Sequence, residues 1–306
     1  MTVLPKAPQV LNRAAFATLL LIALMMGANH VAARIAFNHG VDVPTAVAVR
    51  SLVTALAVAL LVAIQRVPVV LTARHLRVLP VIGLLVGVQS LCLYASVARL
   101  PVALALLAFN TYPLWTAFWA WVFYRRTPER AVLLAMPIIL LGLALALDVL
   151  GAASGLGAAG QWVDIGAGVA FALTAAATFG VALVLTQHEA AGIDGRVRTA
   201  VTMGIVGMLA LAAVGAQGGF HLPNAVSGWW GLAALTFLYG TGFTIMFTLL
   251  PKLGVVGSSP IMNVEPVFAL VLAWLLLGQA IAPMQLAGAV LVVGAVMALG
   301  LRKRKA

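Results

Sequence analysis

Few side chains in this chain of 306 residues stand where they could do chemistry. Glu265 is the single carboxylate well inside a long apolar run, and a carboxylate so placed can take up and release a proton as a coupled carrier requires. Its plainer reading is structural, because it precedes Pro266 and can serve a helix break or pair with an arginine. Arg50 stands six residues past Pro44 in another apolar run. Its planar fork of donors suits a carboxylate on a substrate. It can equally be the counter-ion of Glu265, or carry its charge along the helix towards the membrane surface.

Around these two charges, Asn29, His30, Gln89, Asn110, Tyr112, Tyr239, Ser258, Ser259 and Asn263 are candidate substrate contacts. On a helix Ser258, Ser259, Met262, Asn263, Glu265 and Pro266 fall within an arc of about 160°, and Asn110, Tyr112, Pro113 and Thr116 do likewise. The competing reading for each hydroxyl or amide is packing glue between membrane helices, and for His30 a structural group near a helix end. Pro113, Pro260 and Pro266 are candidate hinges, since an interior proline removes a backbone hydrogen bond, and the helix carrying the last two is expected to kink between them.

The elements that must hold these residues follow from composition. The chain is 64% apolar and 8% charged, against roughly 45–50% and about 25% in soluble domains. Its solvent must be lipid. Ten apolar runs of spanning length lie at about 14–34, 44–65, 76–98, 101–123, 131–149, 163–186, 197–216, 229–250, 254–277 and 283–301. If the N-terminus is cytoplasmic, fifteen of the eighteen Lys and Arg residues face the cytoplasm, Arg34 and Arg99 face outward, and Arg50 lies within a span. That bias is the positive-inside pattern. It puts both termini in the cytoplasm and makes 302–306 a basic cytoplasmic tail, with a bacterial inner membrane as the expected location. The net charge of +11 thus reports orientation, and nucleic acid is not an expected partner.

An external Gly/Ala-rich linker at 150–162 divides the chain into halves, 1–149 and 163–301. Sliding 80–124 along by 153 positions superposes Gly87 on Gly240, Leu100 on Leu253, Val102 on Val255, Asn110 on Asn263, Pro113 on Pro266 and Ala120-Trp121 on Ala273-Trp274. Each half has an odd number of spans, so the second must enter the membrane the other way up. The loops agree: Arg125 to Arg130 is charged, whereas its counterpart Gly278 to Pro283 carries no charge.

The segment NVEPVFALVLAWLLLGQAIAPMQLAGAVLVVGAVMAL, Asn263 to Leu299, resembles the closing helices of the EamA family of the drug/metabolite transporter superfamily, and Asn110 to Tyr124 looks like the first copy of the same element. The resemblance implies an all-α polytopic membrane protein of ten transmembrane helices in two inverted five-helix repeats. The family's Gly-Glu after the Trp-containing helix is Arg125-Arg126 in one half and Gly278-Gln279 in the other, so no role of that glutamate carries over. The implied function is a secondary transporter of a small organic metabolite, an exporter of amino acids or related compounds; proton coupling is the mechanism that the placement of Glu265 adds to it. The alternatives are an uncoupled facilitative carrier and an intramembrane enzyme using Glu265 or His30 as base.

Other motifs point nowhere. Gly155, Gly157 and Gly160 spell GxGxxG in the linker, without the flanking strand or following acid of a dinucleotide site. Gly83 and Gly87 allow close helix packing. The single cysteine, Cys92, offers neither disulfide nor metal spacing. No cofactor or metal is expected; the expected partners are a small-molecule substrate and the lipid bilayer, in a monomer or homodimer.

Overall fold

The computed structural model of the chain describes residues 13–127, 130–148, 150–151, 157–248, 264–279 and 282–301. Among these lie eleven α-helices: α1 (Arg13–Asn38), α2 (Val43–Ile64), α3 (Ala73–Arg99), α4 (Val102–Phe109), α5 (Tyr112–Tyr124), α6 (Arg130–Ala146), α7 (Gly157–Glu189), α8 (Gly195–Ala216), α9 (Val226–Thr248), α10 (Glu265–Leu277) and α11 (Pro283–Leu301). Six stretches are long and apolar enough to cross a membrane, α4 and α5 together forming one of them. The polarity is that of a protein in lipid. Leu56 on α2 is 71% exposed while Arg50, on the same helix, is 3% exposed.

Contacts between helix ends sort the bundle into two sides. At one, Arg74 at the start of α3 and Tyr124 at the end of α5 both bind Glu189 at the end of α7, and Gln65 after α2 meets Arg196 at the start of α8. At the other, Asp42 before α2 meets His221 and Gln217 after α8, and Asn224 N before α9 donates to His39 O after α1. There too Gln279 after α10 accepts from Val102 N at the start of α4. Thus α1 and α7, which open the two halves, run in opposite directions, as do α2 and α8, and α5 and α10. The packing has the same symmetry: α1 lies on α9 as α7 lies on α3, α1 on α10 as α7 on α5, while α2 with α8 and α6 with α11 pair across the axis. This is an inverted repeat.

Capping is duplicated as well. Asp42 and Asp194 are the N-caps of α2 and α8, accepting from Thr45 N and Arg196 N at 2.8 Å each. Gln65 and Gln217 follow the same two helices as C-caps. Because the helices are antiparallel, each side of the α2·α8 pair carries one Asp and one Gln. Arg196 joins them on one side. On the other, Gln217 bonds Asp42 directly and His221 Nδ1 lies 2.8 Å from Asp42 Oδ2.

Three expectations change. The run at 101–123 is not one helix but breaks at Asn110 and Thr111. Asn110 Nδ2 donates to Leu106 O at 2.8 Å and Thr111 Oγ1 to Ala108 O at 2.8 Å, second donors to carbonyls that also accept the Asn110 and Thr111 backbone N–H, and Pro113 then lies in the first turn of α5 without an N–H to give. Glu265, expected eleven residues into a continuous helix, is instead the first residue of α10, with Pro266 second. Ser258, Ser259, Pro260 and Asn263, with the kink expected between Pro260 and Pro266, lie outside the described residues. The α7 helix already begins at Gly157, inside the segment expected to be linker.

Candidate functional site

α5 and α10 are matching half-helices of 13 residues, each opening on a residue followed by proline and each closed by a left-handed residue, Arg125 or Gly278. Their first residues, Tyr112 and Glu265, are therefore equivalent in place and different in chemistry. At a helix N-terminus the unpaired N–H groups favour an anion, which suits Glu265. Across from it, His30 on α1 brings Nε2 to 3.3 Å from Glu265 Oε1. This acid–base contact joins the two halves.

His30 belongs to a buried polar cluster centred on Tyr94 of α3. The Tyr94 hydroxyl donates to Asn29 Oδ1 at 3.0 Å, and the His30 ring meets the Tyr94 ring edge-on at 5.6 Å. Arg50 on α2 places its guanidinium carbon 4.4 Å from the centre of the Tyr94 ring and 3.9 Å from that of Tyr239 on α9. Two aromatic faces against one cation give it electrostatic stabilisation that lipid cannot supply. The Tyr239 hydroxyl donates to the Met203 sulfur at 3.5 Å. Asn29, Arg50 and Tyr94 are each almost wholly buried, while the Glu265 side chain at the edge of the cluster is partly accessible.

The equivalent place on the other side of the axis is aromatic. Phe109, Tyr112 and Phe179 have ring centres 5.3–5.6 Å apart, spanning the break between α4 and α5 and packing it on α7. Leu183 of α7 stands where α1 has His30. Glu265 lies within electrostatic reach of both Tyr94 and Tyr112, between the polar cluster and this aromatic one.

The structure therefore brings together Asn29, His30, Arg50, Tyr239 and Glu265 from four separated stretches of sequence. Tyr112 stands beside that group. Gln89 is buried on α3, accepting from Ser90 Oγ at 3.4 Å, and Asn110 spends its amide on the end of α4. Of the three readings of Arg50, that of counter-ion to Glu265 does not describe this arrangement: among the described residues Glu265 pairs with His30, and no carboxylate pairs with Arg50. Sequence reasoning singled out Tyr112 and Tyr239 but missed Tyr94, because no spacing along the chain says that α3 turns it towards Asn29 and Arg50. Its signal is rarity, since the chain has four tyrosines and three of them are at or beside this site. Arg34, read as marking the outer side, donates to Val97 O at 2.6 Å and so caps the carbonyl end of α3. A separate cavity of about 340 Å³, lined by Pro68, Val70, Gly192, Ile193, Asp194 and Val197, opens at the Arg196 side, away from the Tyr94 cluster.

Comparisons with known proteins agree with this architecture. The profile of the EamA-like transporter family matches residues 13–147 and again 166–301, once for each half. A solved crystal structure, described only as that of a protein, superposes with a TM-score of 0.60 over 94% of this chain and 99% of its own, at 18% identity. At that identity the likeness concerns the fold. A search of curated proteins returns no match. With both of its halves matched, the chain belongs to the EamA-like transporter family of the drug/metabolite transporter superfamily and is a multi-pass membrane protein.

Proposed function

We propose that this chain is a proton-coupled secondary transporter exporting a small organic metabolite, an amino acid or a related compound, from the cytoplasm across a bacterial inner membrane, with both termini cytoplasmic. The observation that carries the coupling is the His30–Glu265 contact. A carboxylate and an imidazole in contact, one from each repeat, form a proton site whose geometry must change when the repeats move against each other. Protonation and movement are then linked, because a proton bound better in one arrangement shifts the population towards it. Export and the amino-acid class are what the family likeness implies. The protein acts as a carrier and not as an enzyme.

The test is transport in proteoliposomes with and without an imposed pH gradient. Glu265→Gln is expected to abolish gradient-driven movement while counterflow exchange continues. Unchanged gradient dependence would favour the second reading, an uncoupled facilitative carrier in which His30 simply neutralises Glu265; the closeness of that pair is what keeps this reading in play.

A further inference from the structure

Arg50 is a buried cation without a described acid partner, and its Nε has no hydrogen-bond acceptor among the described residues. Asn29 Nδ2 and His30 Nδ1, also around Tyr94, have no hydrogen-bond partner among the described residues either. Burying polar atoms without partners is costly, and an unpaired buried charge more so. A soluble group that arrived with acceptor oxygens would relieve the cost. Glu265 does not fill that place, being held by His30. The rings of Tyr94 and Tyr239 lie against the guanidinium. The Tyr239 hydroxyl also takes a hydrogen bond from the guanidinium; the edge that includes the unpartnered Nε–H is left for polar partners, and a planar pair of acceptor oxygens meets such an edge with two parallel hydrogen bonds.

We propose that Arg50, clamped by Tyr94 and Tyr239, is the seat of a carboxylate on the transported molecule, with the Asn29 amide as a second donor. The cargo class is then organic acids, amino acids among them, recognised through the carboxylate and not through the amine. This deepens the transporter reading above and rests on it for the word cargo; the binding chemistry stands independently of it. Two consequences separate this site from a purely structural cation–π clamp. Converting the carboxylate to a neutral amide removes the charge and one acceptor, so amides bind worse than their acids. Replacing Arg50 by lysine keeps the charge and loses the planar fork, so the acid response falls although the cation remains.

The experiment is a thermal-shift titration of the purified full-length protein in lipid nanodiscs. The probes are the twenty amino acids, their amides, and acetate, propionate and butyrate. Acids are expected to raise the unfolding temperature in a concentration-dependent way, and each active acid to lose at least about tenfold in apparent affinity as its amide. Arg50→Gln and Arg50→Lys are expected to lose the acid response by a similar factor, while Tyr124→Phe, at the far side of the bundle, keeps it. An amide as effective as its acid, an undiminished response in Arg50→Lys, or no response to any acid overturns the proposal. Should both Arg50 variants aggregate on size exclusion, the acid–amide comparison on the unmodified protein decides alone. Counterflow of the active probes in proteoliposomes keeps the two readings apart. Arg50-dependent binding without counterflow sinks the transporter and leaves the carboxylate seat, whereas counterflow of the amides as fast as of the acids does the reverse.

Discussion

Gly27 of α1 and Gly180 of α7, 153 positions apart, make the same close approach in opposite halves. A Cβ on Gly27 would lie 3.0 Å from Ala269 N and Glu265 O, and a Cβ on Gly180 would lie 2.9 Å from Thr116 N. Ala269 and Thr116 are themselves 153 positions apart. Each repeat thus lays its first helix across the opening turn of the other's half-helix at backbone contact, and a backbone has no rotamer with which to yield. Gly27→Ala and Gly180→Ala are each expected to cost about 1–3 kcal/mol through overpacking. They should differ in function. Gly27 is three residues from His30, so its substitution pushes α1 from α10 and loosens the His30–Glu265 contact, while the Gly180 crossing contains no such pair. Thermal unfolding should find both variants destabilised, and transport at two pH values should find the pH response weakened in Gly27→Ala alone. Identical pH behaviour of the two would contradict this account.

The His30–Glu265 contact makes a second prediction. If the two side chains form one unit, their substitutions will not add. His30→Gln, Glu265→Gln and the double variant are expected to show a coupling free energy of about 0.5–3 kcal/mol in thermal unfolding, the double costing less than the sum. Losses that add within about 0.3–0.5 kcal/mol would mean that the proximity has no energetic content.

The sequence was most informative where chemistry is coarse. Ten apolar runs, the side bias of arginine and lysine, and the paired Asn, Pro and Trp of the two halves led to the membrane class, the inverted repeat and the family. The break between α4 and α5 was invisible to a hydropathy reading, because it depends on Asn110 and Thr111 bonding carbonyls one turn back. The Gly27–Gly180 match carries no weight in a chain with 29 glycines until the crossing partner is seen. The meeting of His30 with Glu265 has no signal along the chain at all, since no local spacing says which helices cross.

The caps of α2 and α8 predict an acid limb to stability. Asp194 accepts hydrogen bonds from the Arg196 guanidinium and backbone, and the guanidinium holds its carboxyl below the usual carboxylate range. A carboxyl whose folded value is depressed binds protons more readily unfolded, so its contribution is complete above the ordinary range and is lost as pH falls through the lowered folded value. Asp194→Asn keeps the capping oxygen and removes the charge. Its deficit, about 0.2–1 kcal/mol for so exposed a pair, should be constant from pH 5 to 7 and should shrink below the carboxylate range. Unfolding temperatures measured from pH 3 to pH 7 would reveal this, and a deficit that did not shrink in acid would refute the ion pair.

Arg125 and Gly278 close the equivalent half-helices α5 and α10 in the same left-handed conformation, φ 53° and φ 64°. Glycine adopts it freely, whereas a side chain pays about 1–2 kcal/mol, partly offset by the entropy that glycine loses on folding. The strained residue stands in the half whose loop carries Arg125, Arg126 and Arg130, the charges that the proposed orientation puts in the cytoplasm. Arg125→Gly is expected to stabilise the folded protein by about 0.5–1 kcal/mol, and it leaves Arg126 and Arg130 in the loop. The reverse substitution, Gly278→Arg, should cost a similar amount or more and also place a cation in a loop that otherwise has none. Thermal unfolding gives the first quantity, and cysteine-accessibility mapping of the two loops tests the second. A less stable Arg125→Gly protein would show that the Arg125 side chain contributes more at that end of α5 than its backbone conformation costs.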